Sequence, residues 1–250
     1  MDTFIKDIGH LVYHYTKFEN AIKIISSRSL IFGEFGNMND IAESRREIFG
    51  NIPINKINIE LSKYKSISLT KDTSFHRGFS IDPLWGHYAD KGNGICIVFD
   101  KVKLRSDIKK QFERTAKMKP IKYLLNFSNA FFSDSMSSQE VEKEIMKNAN
   151  EIFFTKSNDW KYEQEIRILV KGGAKDRYML HFGLDTIVAA ILCMPKYENY
   201  KETSEYKILK LVLDGKPVLH YTTSLGNKEL LNEDGNRVCN ILGKDLHLDV

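Results

Sequence analysis

A late segment of the chain, WKYEQEIR, places two carboxylates and an arginine at alternating positions. In a strand, Glu163, Glu165 and Arg167 share one face, because successive side chains point to opposite faces. An arginine beside a carboxylate lowers the pKa of that carboxylate and keeps it ionised. A fixed, ionised carboxylate can hydrogen-bond sugar hydroxyls and stabilise an oxocarbenium-like centre. The competing interpretation is an exposed, salt-bridged strand face, although Trp160 and Tyr162 favour a packed element.

Near the start of the chain, His14-Tyr15-Thr16 ends a predicted strand and precedes a predicted helix. Apolar residues at helical spacing between Phe18 and Ile25 indicate the helix, and Thr16 can cap it. A helix N-terminus offers free N–H groups and a positive dipole, so this junction is a candidate cradle for a nucleotide phosphate. From the triplet alone, a strand-end histidine bonded to a backbone carbonyl is the favoured interpretation.

A third group combines a polar loop with charged residues on the helix predicted to follow it. Asn39 and Asp40 lie in the loop, and Glu43, Arg45 and Arg46 come next. One hypothesis is a loop over a pocket, with an arginine that binds the anionic group of a ligand. Locally, the favoured interpretation is a solvated charged helix that Asp40 caps.

The fourth group is aromatic. Trp85 and Tyr88 share one face of a short predicted helix that Pro83 can open. Large aromatic side chains of this kind can wall a nucleotide base or a nicotinamide ring. They are equally typical of an ordinary core, and the sequence favours neither interpretation.

These candidate residues must be positioned by a mixture of strands and helices. The apolar run Ile95–Phe99 predicts a central strand buried on both faces, and Ser137 with Glu140 forms a capping-box pattern. Further strands are predicted at residues 11–16, 66–70, 160–170, 178–182, 187–193 and 217–222, helices at about 18–25, 41–49, 83–88, 138–153 and 202–213, and a polar tail with turns after 224. Because the elements do not alternate regularly, we predict an α+β fold rather than a doubly wound sheet.

Length and composition are those of an ordinary globular protein. With 250 residues, 42% hydrophobic and 28% charged, the chain can bury a core, and we predict one domain over residues 1–250. The net charge of +4 permits a nucleic-acid partner without demanding one. The cysteines lack zinc-ligand spacing, so no metal is expected, and Cys96 and Cys193 are predicted to be buried thiols. No signal peptide or membrane-spanning run is visible, which predicts a cytoplasmic protein without a membrane partner.

Several short motifs occur in a defined order. They are His14-Tyr15-Thr16, Asn39-Asp40 with Glu43, Ser66-Ile67-Ser68, Trp85 to Ala89, Gly94 to Phe99, and Trp160 to Arg167. This ordered set resembles an uncharacterised bacterial family, domain of unknown function 2971. No single motif is specific to this family, but the order of the motifs is. The resemblance covers about residues 11–195 and leaves residues 196–250 as an extension.

Parts of the set also resemble ADP-ribosyltransferases of the His-Tyr-Glu type, which include DNA-modifying toxins. The similarity lies in YHYT with its following helix, a loop that bears an arginine, and a late strand that bears a glutamate. It implies a split, bent mixed β-sheet core with flanking helices, and NAD as the substrate. By this resemblance, His14 holds a ribose hydroxyl and Glu165 is the catalytic carboxylate. Arg45 or Arg46 matches the loop arginine, and Tyr88 is a candidate stacking tyrosine.

The candidate catalytic residues are therefore His14 and two glutamates, because Glu163 competes with Glu165 for the same role. The candidate substrate-binding residues are Tyr15, Thr16, Asn39, Asp40, Arg45, Arg46, Trp85, Tyr88 and Arg167. We predict that His14 and both glutamates border one concave site.

Three functions are compatible with these residues. The leading hypothesis is an NAD-consuming transferase or glycohydrolase, such as a toxin or antiphage effector, with a nucleic-acid or protein acceptor. The second is a non-catalytic sensor that binds a nucleotide or nucleic acid through the same cleft. The third is a nuclease that uses Asp40, Glu43 and Glu163. Arg167 fits the third poorly, because a two-metal site needs converging carboxylates. The residue types define neither the acceptor nor the oligomeric state.

Overall fold

The computed structural model describes residues 9–35, 54–113, 115–125, 132–133, 135–172, 177–193, 199–224 and 227–239. The strands within these ranges are β1 (Leu11–Thr16), β2 (Ser29–Ile31), β3 (Gly33–Glu34), β4 (Tyr64–Lys71), β5 (Ile95–Asp100), β6 (Lys117–Pro120), β7 (Lys122–Leu124), β8 (Thr155–Ser157), β9 (Glu165–Lys171), β10 (Met179–His181), β11 (Ile187–Cys193), β12 (Val218–Ser224), β13 (Asn227–Leu231) and β14 (Arg237–Cys239). The α-helices are α1 (Phe18–Ser27), α2 (Ile54–Leu61), α3 (Asp82–Tyr88), α4 (Lys101–Phe112), α5 (Ser138–Lys147), α6 (Ala149–Phe153) and α7 (Ser204–Leu213). Short 3-10 helices cover Asp90–Gly92, Asn158–Glu163, Leu184–Thr186 and Tyr200–Glu202.

The chain divides into two compact units, each built from separated segments. The first unit comprises Met1–Ser29, Leu69–Asp107 and His181–Val250, and the second comprises Leu30–Ser68 and Ile108–Leu180. The predicted count of one domain stays a prediction.

The first unit contains a mixed sheet in the order β14-β13-β12-β11-β5-β1, followed by the end of β4. Strands β11 and β12 are parallel, and β5 is antiparallel to both of its neighbours, β1 and β11. The side chains of Ile95 to Phe99 are fully buried. This confirms the predicted central strand, because only a strand covered on both faces buries consecutive apolar residues.

In the second unit, hydrogen-bonded strands follow the order β3-β4-β9-β6, and β7 forms a parallel ribbon with β8. The core of this unit joins Val141 and Ile145 of α5 and Phe153 of α6 to Phe35 and Leu169. Helix α5 begins with the predicted capping box, in which the side chains of Ser137 and Glu140 bond each other's backbone N–H groups. Mixed sheets flanked by helices confirm the α+β fold class.

The strand predicted over residues 160–170 is wrong in its first half. Residues Asn158–Glu163 form a 3-10 helix that begins where the Ser157 side chain accepts a hydrogen bond from the backbone N–H of Asp159. Gln164 then adopts the left-handed conformation, with φ 49°. A residue in that region cannot continue a strand, so β9 begins only at Glu165.

Other local predictions also need correction. Thr16 does not cap α1, because the N-cap is Lys17 and its side chain makes no capping bond. The polar tail after residue 224 forms β13 and β14, which pair in sequence with β12. Helix α4 was not predicted, and the Asp100 carboxylate starts it by accepting hydrogen bonds from the first backbone N–H groups. Cys96 is a buried free thiol as predicted, whereas Cys193 is only partly buried.

Candidate functional site

Four ionisable side chains are buried together in the second unit. They are Lys156, Glu163, Glu165 and Arg167, each 5% exposed or less. With Ser68, whose hydroxyl bonds one of them, they form what we call the charged cluster. Burial of this many charges costs free energy unless each is paired, so their mutual geometry decides what the cluster can do.

Glu165 and Arg167 form the centre of the charged cluster. They lie two residues apart on β9 and therefore share one face, as predicted. The Arg167 Nε donates to Glu165 Oε1 at 2.7 Å and its Nη2 donates to Oε2 at 3.0 Å, a bidentate ion pair. The remaining guanidinium nitrogen, Nη1, donates to the carbonyl of Phe153 at 2.8 Å. Arg167 is thus held rigidly inside the protein with no exposed surface.

Lys156 connects the two glutamates. Its Nζ lies 2.6 Å from Glu163 Oε2 and 3.6 Å from Glu165 Oε2. The same ammonium lies 4.7 Å from the centre of the Trp160 ring. Sequence reasoning missed this lysine, and the available signal was its place a few residues before the acidic segment. The consequence is that Glu163 is engaged by Lys156, whereas Glu165 is engaged mainly by Arg167.

Ser68 links the cluster to the protein surface. Its Oγ donates to Glu165 Oε1 at 2.7 Å, and Ser68 itself is exposed, unlike the residues on either side of it in β4. On the backbone side, the N–H of Glu165 donates to the hydroxyl of Tyr123 at 2.8 Å. The Glu165 carboxylate is therefore buried but reaches the surface through one exposed hydroxyl.

Opposing effects set the pKa of Glu165. Burial raises the pKa, but the positive charges of Arg167 and Lys156 and the hydrogen bonds from Arg167 and Ser68 lower it more. The net result is a pKa below the usual range for glutamate, so the carboxylate is ionised at neutral pH. Such a group can accept hydrogen bonds and stabilise positive charge, but it cannot act as a general acid.

The first unit contains a contrasting group, Tyr13, Tyr15, Phe79, Trp85 and Tyr221, which we call the aromatic cluster. The Trp85 ring stacks on Tyr221 at 5.8 Å with an interplanar angle of 9° and receives the edge of Tyr15 at 5.1 Å. The Tyr15 hydroxyl donates to the carbonyl of Gly78 at 2.7 Å, and Trp85 Nε1 donates to that of Phe79 at 2.8 Å. Trp85 is 3% exposed, so its ring faces are used for packing within this unit.

The other predicted site residues are placed as follows. His14 is half-buried opposite Ile97, and Thr16 is buried. Tyr88 is half-buried at the end of α3. His14 belongs to the first unit and the two glutamates to the second, and the predicted site that they share stays a prediction. Asn39, Asp40, Arg45 and Arg46 lie outside the described residues.

Within the described ranges, no group of three or more His, Cys, Asp or Glu side chains could hold a metal ion. Asp40 and Glu43, which the nuclease hypothesis needs, fall outside those ranges. Across the same described part of the chain, every helix is too short or too polar to cross a membrane.

Comparison with known proteins gives one structural and one sequence similarity. The chain is similar to the structure of Thermus sp. 2.9 DarT in complex with ADP-ribosylated ssDNA, with 11% identity and a TM-score of 0.37, over 86% of this chain and 95% of that chain. A likeness this loose defines neither a site nor an activity. No curated protein matches the sequence. Residues 84–168 match the family described as "Protein of unknown function (DUF2971)", which confirms the family resemblance over that part of the chain.

Proposed function

We propose that this protein is an NAD-using enzyme of the ADP-ribosyltransferase type, in which Glu165 stabilises positive charge on the ribose as nicotinamide leaves. The observation that carries this proposal is the Glu165 carboxylate, ionised and oriented by Arg167 and bonded by the exposed Ser68. A charge that is already oriented needs no reorganisation during the reaction, which is where electrostatic catalysis gains most. The sequence resemblance of the same segment to His-Tyr-Glu transferases supports the assignment.

Ser68 provides the route by which a substrate reaches the carboxylate. Its hydroxyl occupies one acceptor position on Glu165 Oε1, and it is the exposed member of the cluster. A ribose hydroxyl of NAD is chemically equivalent to the serine hydroxyl and can replace it as the donor. Rotation of the Ser68 side chain would free this acceptor position without disturbing the ion pair of Glu165 with Arg167.

In this reaction, the bond between the ribose carbon and nicotinamide breaks and its electron pair leaves with nicotinamide. The ribose carbon becomes oxocarbenium-like, and the negative charge of Glu165 stabilises it. A nucleophile on a nucleic acid, a protein or water then forms the new bond and loses its proton. His14, with the other substrate-binding residues predicted from the sequence, would hold NAD. We further propose that the protein acts in the cytoplasm as a toxin or antiphage effector.

The test is nicotinamide release by the purified protein, with single-stranded DNA, protein or water as acceptor and NAD affinity measured in parallel. Glu165→Gln should lower turnover about a hundredfold or more, the scale of a lost electrostatic stabiliser. NAD affinity should fall much less, because the ground state carries little of the new charge. Glu163→Gln is the matched control and should lower turnover less, since its partner is Lys156. Arg167→Ala should be intermediate, through lost positioning of the carboxylate.

Two outcomes would change the assignment. If the wild-type protein neither binds nor cleaves NAD with the acceptors present, the transferase proposal fails. If Glu163→Gln is the inactive variant and Glu165→Gln is active, the chemistry stands but the residue is wrong.

A non-catalytic nucleotide-binding module is the second candidate. The observation that favours it is that the buried Arg167 bonds both oxygens of the buried Glu165, an arrangement also typical of a structural ion pair. This candidate predicts NAD or nucleotide binding without nicotinamide release. It also predicts that Ser68→Ala, which removes only the exposed hydroxyl, leaves that binding unchanged.

A further inference from the structure

The second unit contains a cleft of about 280 Å³. Its lining residues are Tyr64, Thr115, Lys117, Met146, Ala149, Leu169 and Lys171. The volume is close to the lower end of small-molecule sites, about 300–1,000 Å³. The walls are mainly apolar, with two lysines, so the cleft differs in character from the charged cluster.

The cleft is separate from the candidate active site. Leu169 and Lys171 lie on the same face of β9 as Glu165, but toward the other end of the strand. With a rise of about 3.3 Å per residue, Leu169 lies about 13 Å from Glu165 along the strand. The fully buried Arg167 occupies the position between them. A ligand in the cleft would therefore not touch the Glu165 carboxylate.

One positive charge in the cleft is not compensated. Lys171 is bonded to Glu142, which neutralises it. Lys117 is exposed and has no ion-pair partner among the described residues. Such a cation on an apolar cleft favours a ligand with a single negative group and an apolar body.

Tyr64, another lining residue, is a candidate hydrogen-bond donor. Its ring is 6% exposed and packs on Phe153 at 4.3 Å, so the tyrosine is fixed. In the described part of the chain its hydroxyl makes no hydrogen bond. Because Tyr64 lines the cleft, its hydroxyl is the candidate donor for a ligand oxygen.

We propose that this cleft binds a small amphiphilic monoanion, a carboxylate on an unbranched apolar chain. Lys117 and Tyr64 hold the carboxylate, while Met146, Ala149 and Leu169 contact the chain. The flexible side chain of Met146 is exposed and adapts to the length of the ligand. A nucleotide fits poorly, because it carries more negative charge and more polar atoms than one lysine and one hydroxyl can satisfy.

The test is isothermal titration calorimetry of the full chain with octanoate, and with octanol as the uncharged control. We expect one octanoate per chain and an affinity for octanol about fivefold lower, the upper end for one exposed ion pair. Lys117→Met should lower octanoate affinity about fivefold as well. Lys109→Met, which removes another exposed lysine of the same unit, should leave it unchanged.

Two further variants test the apolar part of the cleft. Ala149→Phe fills it and should abolish binding, provided that circular dichroism shows a folded protein. Met146→Glu alters an exposed residue, so the variant should fold. It should also abolish binding, because it places a charge against the apolar chain of the ligand. The proposal fails if the wild-type protein does not bind octanoate, or if it binds octanol equally well. It also fails if octanoate binding survives both variants, or if adenosine monophosphate binds more tightly than octanoate.

Discussion

In the charged cluster of the second unit, four ionisable side chains are buried together, whereas the aromatic cluster of the first unit buries mainly neutral rings. The charged cluster satisfies its polar atoms with side-chain ion pairs such as Arg167 with Glu165. The aromatic cluster satisfies them with backbone carbonyls, as Tyr15 and Trp85 do. Removal of one partner should therefore be far more costly in the charged cluster, because it leaves an ion in a medium that solvates it poorly.

A buried ion pair lies beside the rings of the first unit. Arg77 Nε lies 3.3 Å from Asp72 Oδ1, which also accepts a hydrogen bond from the N–H of Gly78 at 2.8 Å. The same arginine donates to the Tyr13 hydroxyl at 3.4 Å. Here the charges anchor a loop beneath aromatic side chains, whereas in the charged cluster they surround a carboxylate that reaches the surface.

The largest effect is expected from Arg167→Met. The substitution keeps the volume but leaves Glu165 with Lys156 and Ser68 alone, so the free energy of unfolding should fall by about 3–5 kcal/mol. Urea denaturation measures this change. Lys161→Met, an exposed lysine of the same unit, is the control and should stay within about 0.5 kcal/mol of wild type.

A double substitution sharpens this prediction. Adding Glu165→Gln to Arg167→Met removes the unpaired charge, so the double variant should be more stable than Arg167→Met alone. If Arg167→Met lowered the free energy of unfolding by less than about 1 kcal/mol, the buried ion pair would contribute no more to stability than an exposed one.

A smaller effect is expected in the aromatic cluster, from Gly78→Ala. A Cβ at this position would lie 2.3 Å from Cδ2 of Tyr13 and 3.2 Å from the carbonyl carbon of Lys71, so the packing must shift. Overpacking of this kind costs about 1–3 kcal/mol. Thermal or urea unfolding measures the loss.

Gly86→Ala is the matched control, because its Cβ would meet nothing within 4 Å and it lies inside α3. Alanine forms helix better than glycine, so this variant should be more stable than wild type by about 0.5–1 kcal/mol. If both alanine variants changed stability alike, the close packing around Tyr13 would not be the cause.

The last effect concerns pH and a buried neutral group of the first unit. Burial lowers the pKa of His220 to about 4, and its Nε2 shares a hydrogen bond of 2.7 Å with the Tyr200 hydroxyl. Between pH 6.5 and about 4 the unfolded chain binds a proton that the folded chain does not. The free energy of unfolding should therefore fall with decreasing pH over this window, by up to about 1.4 kcal/mol per pH unit.

His220→Gln should flatten this dependence, measured by urea denaturation at a series of pH values. His76→Gln alters an exposed histidine and should leave it intact. An unchanged slope in His220→Gln would show that other groups cause the acid sensitivity.

The elements predicted correctly from the sequence are those defined by residues close together in the chain. The apolar run Ile95–Phe99 is the central strand β5, and Ser137 with Glu140 caps α5. The alternation of Glu165 and Arg167 also holds, so their ion pair was predictable. Periodicity and capping depend on neighbours within one element, and the sequence displays those neighbours directly.

Only the tertiary structure decided what surrounds the Glu165 carboxylate. Ser68 lies on β4, 97 residues from Glu165 in the chain. Lys156 is nearer in the chain but lies on β8, so the alternation within β9 connects neither residue with Glu165. The left-handed Gln164 separates Glu163 from β9, a break that the alternating pattern concealed. Strands β13 and β14 form from a polar tail because a neighbouring strand offers hydrogen bonds. Which residue pairs with a buried charge, and which strand pairs with a sheet edge, depends on which elements pack together. That packing depends on the free energy gained when the whole unit buries its apolar surface.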